Sequence, residues 1–129
     1  MKLLLDTHML LWAAAGTLPA DAEKMALDGE NTLCFSPISI WEIGIKKSLG
    51  RSDFRIDPEL LRRGLLDNQY QELPVTSLHA LAVNDLPHIH KDPFDRMLLA
   101  QAKAEGMALL TSDSVFREYP RPVIFMPGT

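Results

Sequence analysis

The sequence predicts an α/β domain built on a mainly parallel β-sheet. Short apolar runs such as Leu3–Leu5 and Ala108–Leu110 alternate along the chain with longer helical stretches, the pattern of strand–helix–strand units. These runs do not alternate apolar with polar residues, as strands covered on both faces need not. Helix starts are punctuated by Ser36-Pro37, Asp57-Pro58 and Asp92-Pro93, each a good N-cap followed by proline at the first helical position. No repeat, low-complexity stretch or Gly/Ser linker divides the chain, so residues 1–129 are expected to form one domain.

Lys2–Leu5 is too short for a helix and reads as a buried first strand. His8–Ala15 reads as a helix stopped by Gly16, and Pro19 opens a second that runs to Leu27 before Asp28-Gly29. Thr32–Phe35 is a β-rich run, the second strand. The helix capped by Ser36 runs to Leu49, with Gly50 as its terminator. Asp57-Pro58 opens another helix, to about Asp67, and Glu72–Val75 reads as a short strand. Ser77–Val83 is helical, Asn84–Lys91 irregular, and the helix after Asp92 ends at Gly106. Met107–Leu110 is expected as a fourth strand. Val123–Phe125 is the fifth, after a turn at Tyr119-Pro120-Arg121-Pro122. Trp12 and Trp41 are expected in the core.

Composition narrows the function. Of 129 residues, 47% are hydrophobic and 23% charged, which suits a folded soluble protein rather than a disordered one. A single cysteine, Cys34, excludes an internal disulfide scaffold or a cysteine-rich zinc module. Thirteen Lys+Arg against 17 Asp+Glu give net charge −4, unsuited to coating nucleic acid by charge but compatible with an enzyme that touches it at one site. The segment up to Ala13-Ala14-Ala15-Gly16 mimics a short signal peptide, yet Asp6 and His8 interrupt its apolar stretch. No apolar run approaches the ~20 residues of a membrane span. The expected compartment is the cytoplasm.

The acids carry the chemistry. Ligands of open parallel sheets bind at the carboxyl ends of the strands. Asp6 follows the first strand and Asp113 the fourth, although each also suits a turn or helix cap. Glu42 shares a helix face with Ile38, Ile45 and Leu49, so its carboxylate lies in an apolar stripe and needs a cation. Lys46, one turn on toward the edge of that stripe, is one candidate. Asp92 is explained by capping, Asp95 less so, because it opens the apolar run Met97–Ala100 and would project inward near the strand ends. Several carboxylates in one place either rise in pKa or bind a divalent cation, and an all-oxygen set favours Mg²⁺ or Mn²⁺ over Zn²⁺. That chemistry suits phosphodiester hydrolysis. Lys46, Lys47, Arg51 and Arg55 are candidates for a phosphodiester backbone, or simply scattered surface charge. His8, His79, His88 and His90 suggest no zinc site.

Taken in order, Leu3-Leu4-Leu5-Asp6-Thr7-His8, then Ser36-Pro37-Ile38-Ser39-Ile40-Trp41-Glu42-Ile43 with Lys46, His90-Lys91-Asp92-Pro93-Phe94-Asp95-Arg96, and Leu110-Thr111-Ser112-Asp113 resemble the PIN-domain family, and within it the VapC-type toxins of prokaryotic toxin–antitoxin pairs. The likeness runs from Lys2 to Val123. It implies a sheet in the order 3-2-1-4-5 with helices on both sides, and a Mg²⁺- or Mn²⁺-dependent endoribonuclease. Asp6, Glu42, Asp95 and Asp113 match the family's acidic positions, catalytic and metal-binding. Asp92 matches an extra acid of some members that approaches the metal or only caps its helix. Thr111 matches a hydroxyl that steadies the acids, and Arg96 an arginine that pairs with a carboxylate or phosphate. The implied reaction is attack of a metal-activated water on RNA, leaving a 5′-phosphate. The implied partners are a cognate antitoxin, whose amphipathic segment covers a groove of the toxin, operator DNA only through that antitoxin, and a second copy in a homodimer. Two rivals remain: a dehalogenase-type phosphatase, which wants an acid where His8 stands, and a PIN-like module that binds RNA or protein without catalysis.

Overall fold

The structure is a computed structural model that describes residues 1–119 and 122–127. Strand β1 (Lys2–Leu5) leads into α1 (Thr7–Ala15) and α2 (Ala20–Leu27), then β2 (Thr32–Phe35), α3 (Pro37–Ser48), α4 (Pro58–Asp67) and β3 (Gln71–Glu72). Helices α5 (Ser77–Val83) and α6 (Pro93–Glu105) precede β4 (Ala108–Thr111), a 3₁₀ turn at Ser114–Glu118, and β5 (Val123–Phe125). Every strand pairing is parallel, in the order β3-β2-β1-β4-β5. The chain therefore winds outward from β1 in both directions. The order reverses between β1 and β4, where such sheets open a crevice at their carboxyl ends. Asp6 and Asp113 stand beside that switch point.

The two faces of the sheet explain the unbroken apolar runs. Leu3 and Leu5 point to one side, into a core with Met9, Leu10, Phe35, Ile43, Leu61 and Leu65. Leu4 points to the other, with Cys34, Leu98, Leu99, Leu109 and Phe116. Each side is covered by helices, so successive residues of one strand are all buried. Among the described residues no helix is long and apolar enough to cross a membrane.

The structure corrects several local expectations. The third strand is Gln71–Glu72 rather than Glu72–Val75. Leu73 donates its N–H to the Phe35 carbonyl at 2.8 Å, and Pro74, which has no N–H to give, ends the ladder there. Helix α3 stops at Ser48, and Leu49 is its cap at 74% exposure rather than part of the buried stripe. The residues after β4 coil into a 3₁₀ turn that no apolar period predicts, with the Asp113 side chain accepting from the Val115 N–H. The centre of the expected turn, Pro120-Arg121, lies outside the described residues. Trp12 packs partly buried against the first core, but Trp41 is 60% exposed.

Candidate functional site

Four acids from four separate stretches of chain gather near the carboxyl end of the sheet: Asp95 and Asp113 come closest, and the charges of Asp6 and Glu42 reach Asp95. Asp6 directly follows β1, and its N–H continues the ladder to the Leu110 carbonyl at 3.1 Å. Its carboxylate is buried, and each oxygen accepts one hydrogen bond. Oδ1 accepts from the Met9 N–H at 2.9 Å, capping α1, and Oδ2 accepts from the Thr111 hydroxyl at 2.5 Å. The same Thr111 oxygen accepts from the Asp113 N–H at 3.0 Å. Thr111, the last residue of β4, thus ties the first acid to the last.

Glu42 is buried on α3, as its place in the apolar stripe requires. Its Oε1 accepts from the Thr7 hydroxyl at 2.6 Å and its Oε2 from Lys46 Nζ at 2.5 Å. Thr7 Oγ1 also lies 3.0 Å from Ser39 Oγ. With Thr7's single proton on Glu42, Ser39 is the donor in that pair. Sequence reasoning misses both Thr7 and Ser39, although both sit in the motifs that carry the acids. Lys46 keeps only 19% side-chain exposure and lies over Phe54, 4.9 Å from the ring centre, and 5.9 Å from that of Phe94. It is therefore committed to Glu42 rather than free for an RNA backbone. Replacing Lys46 with Met should leave Glu42 buried without its cation. Breaking a buried pair costs about 3–5 kcal/mol, and the remaining exposure sets the expectation at the low end of that range. Urea denaturation in EDTA measures it, and adding Glu42→Gln to Lys46→Met should recover most of the loss.

Asp95 and Asp113 meet through His90, which sequence reasoning weighs only as a zinc ligand and sets aside. His90 Nε2 stands 3.0 Å from Asp95 Oδ2 and 3.0 Å from Asp113 Oδ2. One donor atom from each of these three residues falls within 4.8 Å of the others. The spacing His90-x-Asp92-Pro93 could have flagged a residue next to the α6 cap. Only the fold shows the irregular loop turning its ring inward.

The remaining candidates fall outside this cluster or beside it. Asp92 caps α6, its Oδ1 accepting from the N–H groups of Phe94 and Asp95 at 2.8 and 3.1 Å. Arg96 departs from its expected role. Its guanidinium donates to the carbonyls of Val83, Pro87 and His90, so it binds the loop rather than a carboxylate. Arg51 pairs with Asp53 at the surface, 3.3 Å away, and Lys47 and Arg55 are not drawn into the acidic cluster. His8 is surface-placed against Phe54 and Asp53. His79 is buried far along the fold, bonded to Glu105 at 2.8 Å.

The electrostatics follow from this convergence. Burial raises the Asp95 carboxyl to about 8, and the charges of Asp92, Glu42, Asp6 and Asp113 add to the rise. Burial also raises Asp6 to about 6, against hydrogen bonds from Thr111 and Met9 that lower it. Carboxyls raised by burial and, at Asp95, by neighbouring negative charge form a donor set that a divalent cation would relieve, and their oxygens suit a hard cation. The residues present therefore fit a divalent cation.

The PIN domain family model matches residues 3–122. The chain belongs to the PIN domain family. Solved structures share the fold of this PIN domain at low identity. A chain of VapBC2 from Rickettsia felis, bound to a DNA fragment from its promoter, superposes with a TM-score of 0.72 at 16% identity, covering 98% of each chain. A chain of a toxin–antitoxin complex from Klebsiella pneumoniae gives 0.64 at 20% identity, again over 98% of each. The PIN domain endonuclease Utp24 gives 0.57 at 17% identity, over 98% of this chain and 86% of that one. No curated protein sequence matches the PIN domain described here.

Proposed function

We propose that this PIN domain is a metal-dependent endoribonuclease, the toxin of a toxin–antitoxin pair. The observation that carries the reading is the meeting of Asp6, Glu42, Asp95 and Asp113 at the sheet's switch point, with two of them pushed well above the usual carboxylate range. Membership of the PIN family and the fold shared with toxin–antitoxin chains and a PIN endonuclease support it.

Asp6, Glu42, Asp95 and Asp113 would hold the Mg²⁺ or Mn²⁺, which when bound lowers the pKa of water and neutralises charge on the phosphoryl oxygens. The chain's own groups do the rest. Thr111 and the Met9 N–H fix both oxygens of Asp6, and Thr7 and Lys46 fix both of Glu42, so the acids are oriented before any ligand arrives. Lys46, committed to Glu42, offsets part of the acids' negative charge. Asp92 contributes charge and a helix cap, with no direct ligand role required.

An aromatic pair, the 60% exposed Trp41 and the half-buried Phe94, supports a single-stranded substrate. Trp41 and Phe94 each immediately precede an acid, Glu42 and Asp95, and their rings meet edge to face at 5.3 Å. Single-stranded RNA is commonly held by bases stacked on such side chains, worth ~1–3 kcal/mol per base. Trp41→Ala should weaken binding of a short RNA by roughly 10-fold in an uncleaving Asp6→Asn background, and Trp41→Phe should restore most of it. Fluorescence anisotropy measures both.

The partner side of the reading rests on a different surface. A groove of about 860 Å³ opens between α1, α2 and α4, lined by Ala13, Leu18, Leu33, Leu61 and Tyr70, with the exposed Leu27 and Leu60 among its walls. It suits the apolar face of an amphipathic antitoxin segment. DNA contact is assigned to that partner, since this chain's net charge is −4. A homodimer is the expected state. Growth arrest on expression, relieved by the neighbouring gene and absent in Asp6→Asn, tests the whole reading. Arrest that persists in Asp6→Asn would favour a module that binds without cutting.

A further inference from the structure

The four acids do not account for the most extensively held side chain at this site, which is His90. Its backbone N–H donates to the Tyr119 hydroxyl at 2.9 Å, and that hydroxyl donates to the Pro87 carbonyl at 3.0 Å. Its carbonyl accepts from Arg96 at 3.3 Å. Its ring packs on Phe116 with centroids 4.9 Å apart and retains 11% exposure. A loop residue fixed at its backbone, its ring face and both ring nitrogens is preorganised for a task.

Two tasks fit the position. His90 Nε2, Asp95 and Asp113 are close enough together for His90 to be a third ligand to one cation. The other ring nitrogen decides against this. Nδ1 accepts the Asp92 N–H at 3.2 Å, so its lone pair is used and it carries no proton. A neutral imidazole carries one N–H, which is then on Nε2. A protonated nitrogen has no lone pair for a metal. It has a proton to share between the two carboxylate oxygens, each 3.0 Å away. Turning the ring over would give up the Asp92 bond and take the donor away from both acids.

We infer that His90 is a positioning residue of this site: its Nε2–H bridges Asp95 and Asp113, which arrive on α6 and after β4, and sets their oxygens for a cation that His90 itself does not ligate. The inference rests on the proposed metal-dependent reading. The Asp92 N–H fixes the tautomer, so the cap of α6 serves a second purpose. Outer partners that orient metal ligands are typically worth about 10–100-fold in metal affinity.

The test is Mn²⁺ binding by calorimetry to the wild type, Asp6→Asn, His90→Ala and His90→Gln, with thermal unfolding of each. His90→Ala should bind Mn²⁺ roughly 10–100-fold more weakly. His90→Gln, whose amide N–H can reach the same place, should recover to within a few-fold. A structural role alone would not produce that rescue. The electron spin-echo spectrum of the Mn²⁺-loaded wild type should lack coupling to a histidine nitrogen. Such a coupling, or unchanged affinity in His90→Ala, overturns the inference while the metal-dependent reading stands. A His90→Gln variant that binds no better than a folded His90→Ala overturns it too. If the wild type binds no Mn²⁺ at all, both readings fall.

Discussion

In EDTA the protein should lose stability as the pH rises from 5 to 8. Asp6 and Asp95 titrate in the folded chain at about 6 and about 8, against 3.8 for an ordinary aspartate. The unfolded chain therefore gives up these protons first, and between those values the folded chain holds more of them. Stability from these groups is complete below pH 3.8 and falls as the pH climbs through 6 and then 8. Every tenfold difference in proton affinity between the folded and unfolded chains corresponds to about 1.4 kcal/mol, so the loss should amount to a few kcal/mol, or roughly 10 °C in melting temperature. Mg²⁺ or Mn²⁺ should recover the loss at pH 8 and do much less at pH 5, where protons already neutralise the acids. Asp95→Asn should melt higher than the wild type in EDTA at pH 8 and show a flatter pH profile. Melting temperatures across this range, with and without cation, measure all three. A metal-free profile that is flat or rises toward pH 8 would contradict the burial and crowding described here.

The second large effect is on activity. Asp6→Asn should cut RNA at least ~100-fold more slowly, beyond the 10–100-fold that outer partners of a metal site typically cost. The fold should survive, because an asparagine oxygen can still accept from the Met9 N–H and keep α1 capped. The other bond is more tolerant than it looks. Thr111 donates to Asp6 Oδ2 and also accepts from Asp113, and its hydroxyl can turn to accept from an asparagine amide. The variant therefore separates charge from structure. Its activity should be lost while its circular dichroism stays that of the wild type.

Much of this was legible in the sequence because the determinants are local. Ser36, Asp57 and Asp92 cap helices in front of prolines, and the structure starts α3, α4 and α6 at those prolines. Runs with apolar residues on both sides, Leu3–Leu5 and Ala108–Leu110, belong to central strands covered on both faces. Glu42 could be placed inward because helical periodicity fixes its face, and its partner Lys46 lies one turn away. What the sequence conceals depends on distant contacts or on irregular backbone. Trp41 is as apolar as a core residue, but its place on α3 turns it out of the cores toward Phe94, far along the chain. Arg96 sits next to an acid in sequence, while the loop folding back over α6 offers it three carbonyls first. His90 lies in a stretch with no period, and only the packing of Phe116 and Tyr119 beneath that loop aims its ring.

The central claim is that the converging acids make a metal-dependent ribonuclease. The most direct measurement is cleavage of a mixed RNA pool by the purified protein with Mg²⁺, with EDTA, and with Asp6→Asn in parallel. The expected result is cutting with Mg²⁺ that EDTA abolishes and Asp6→Asn lacks. Cutting that persists at the same rate in EDTA and in Asp6→Asn, after contaminating nuclease has been excluded, would contradict it.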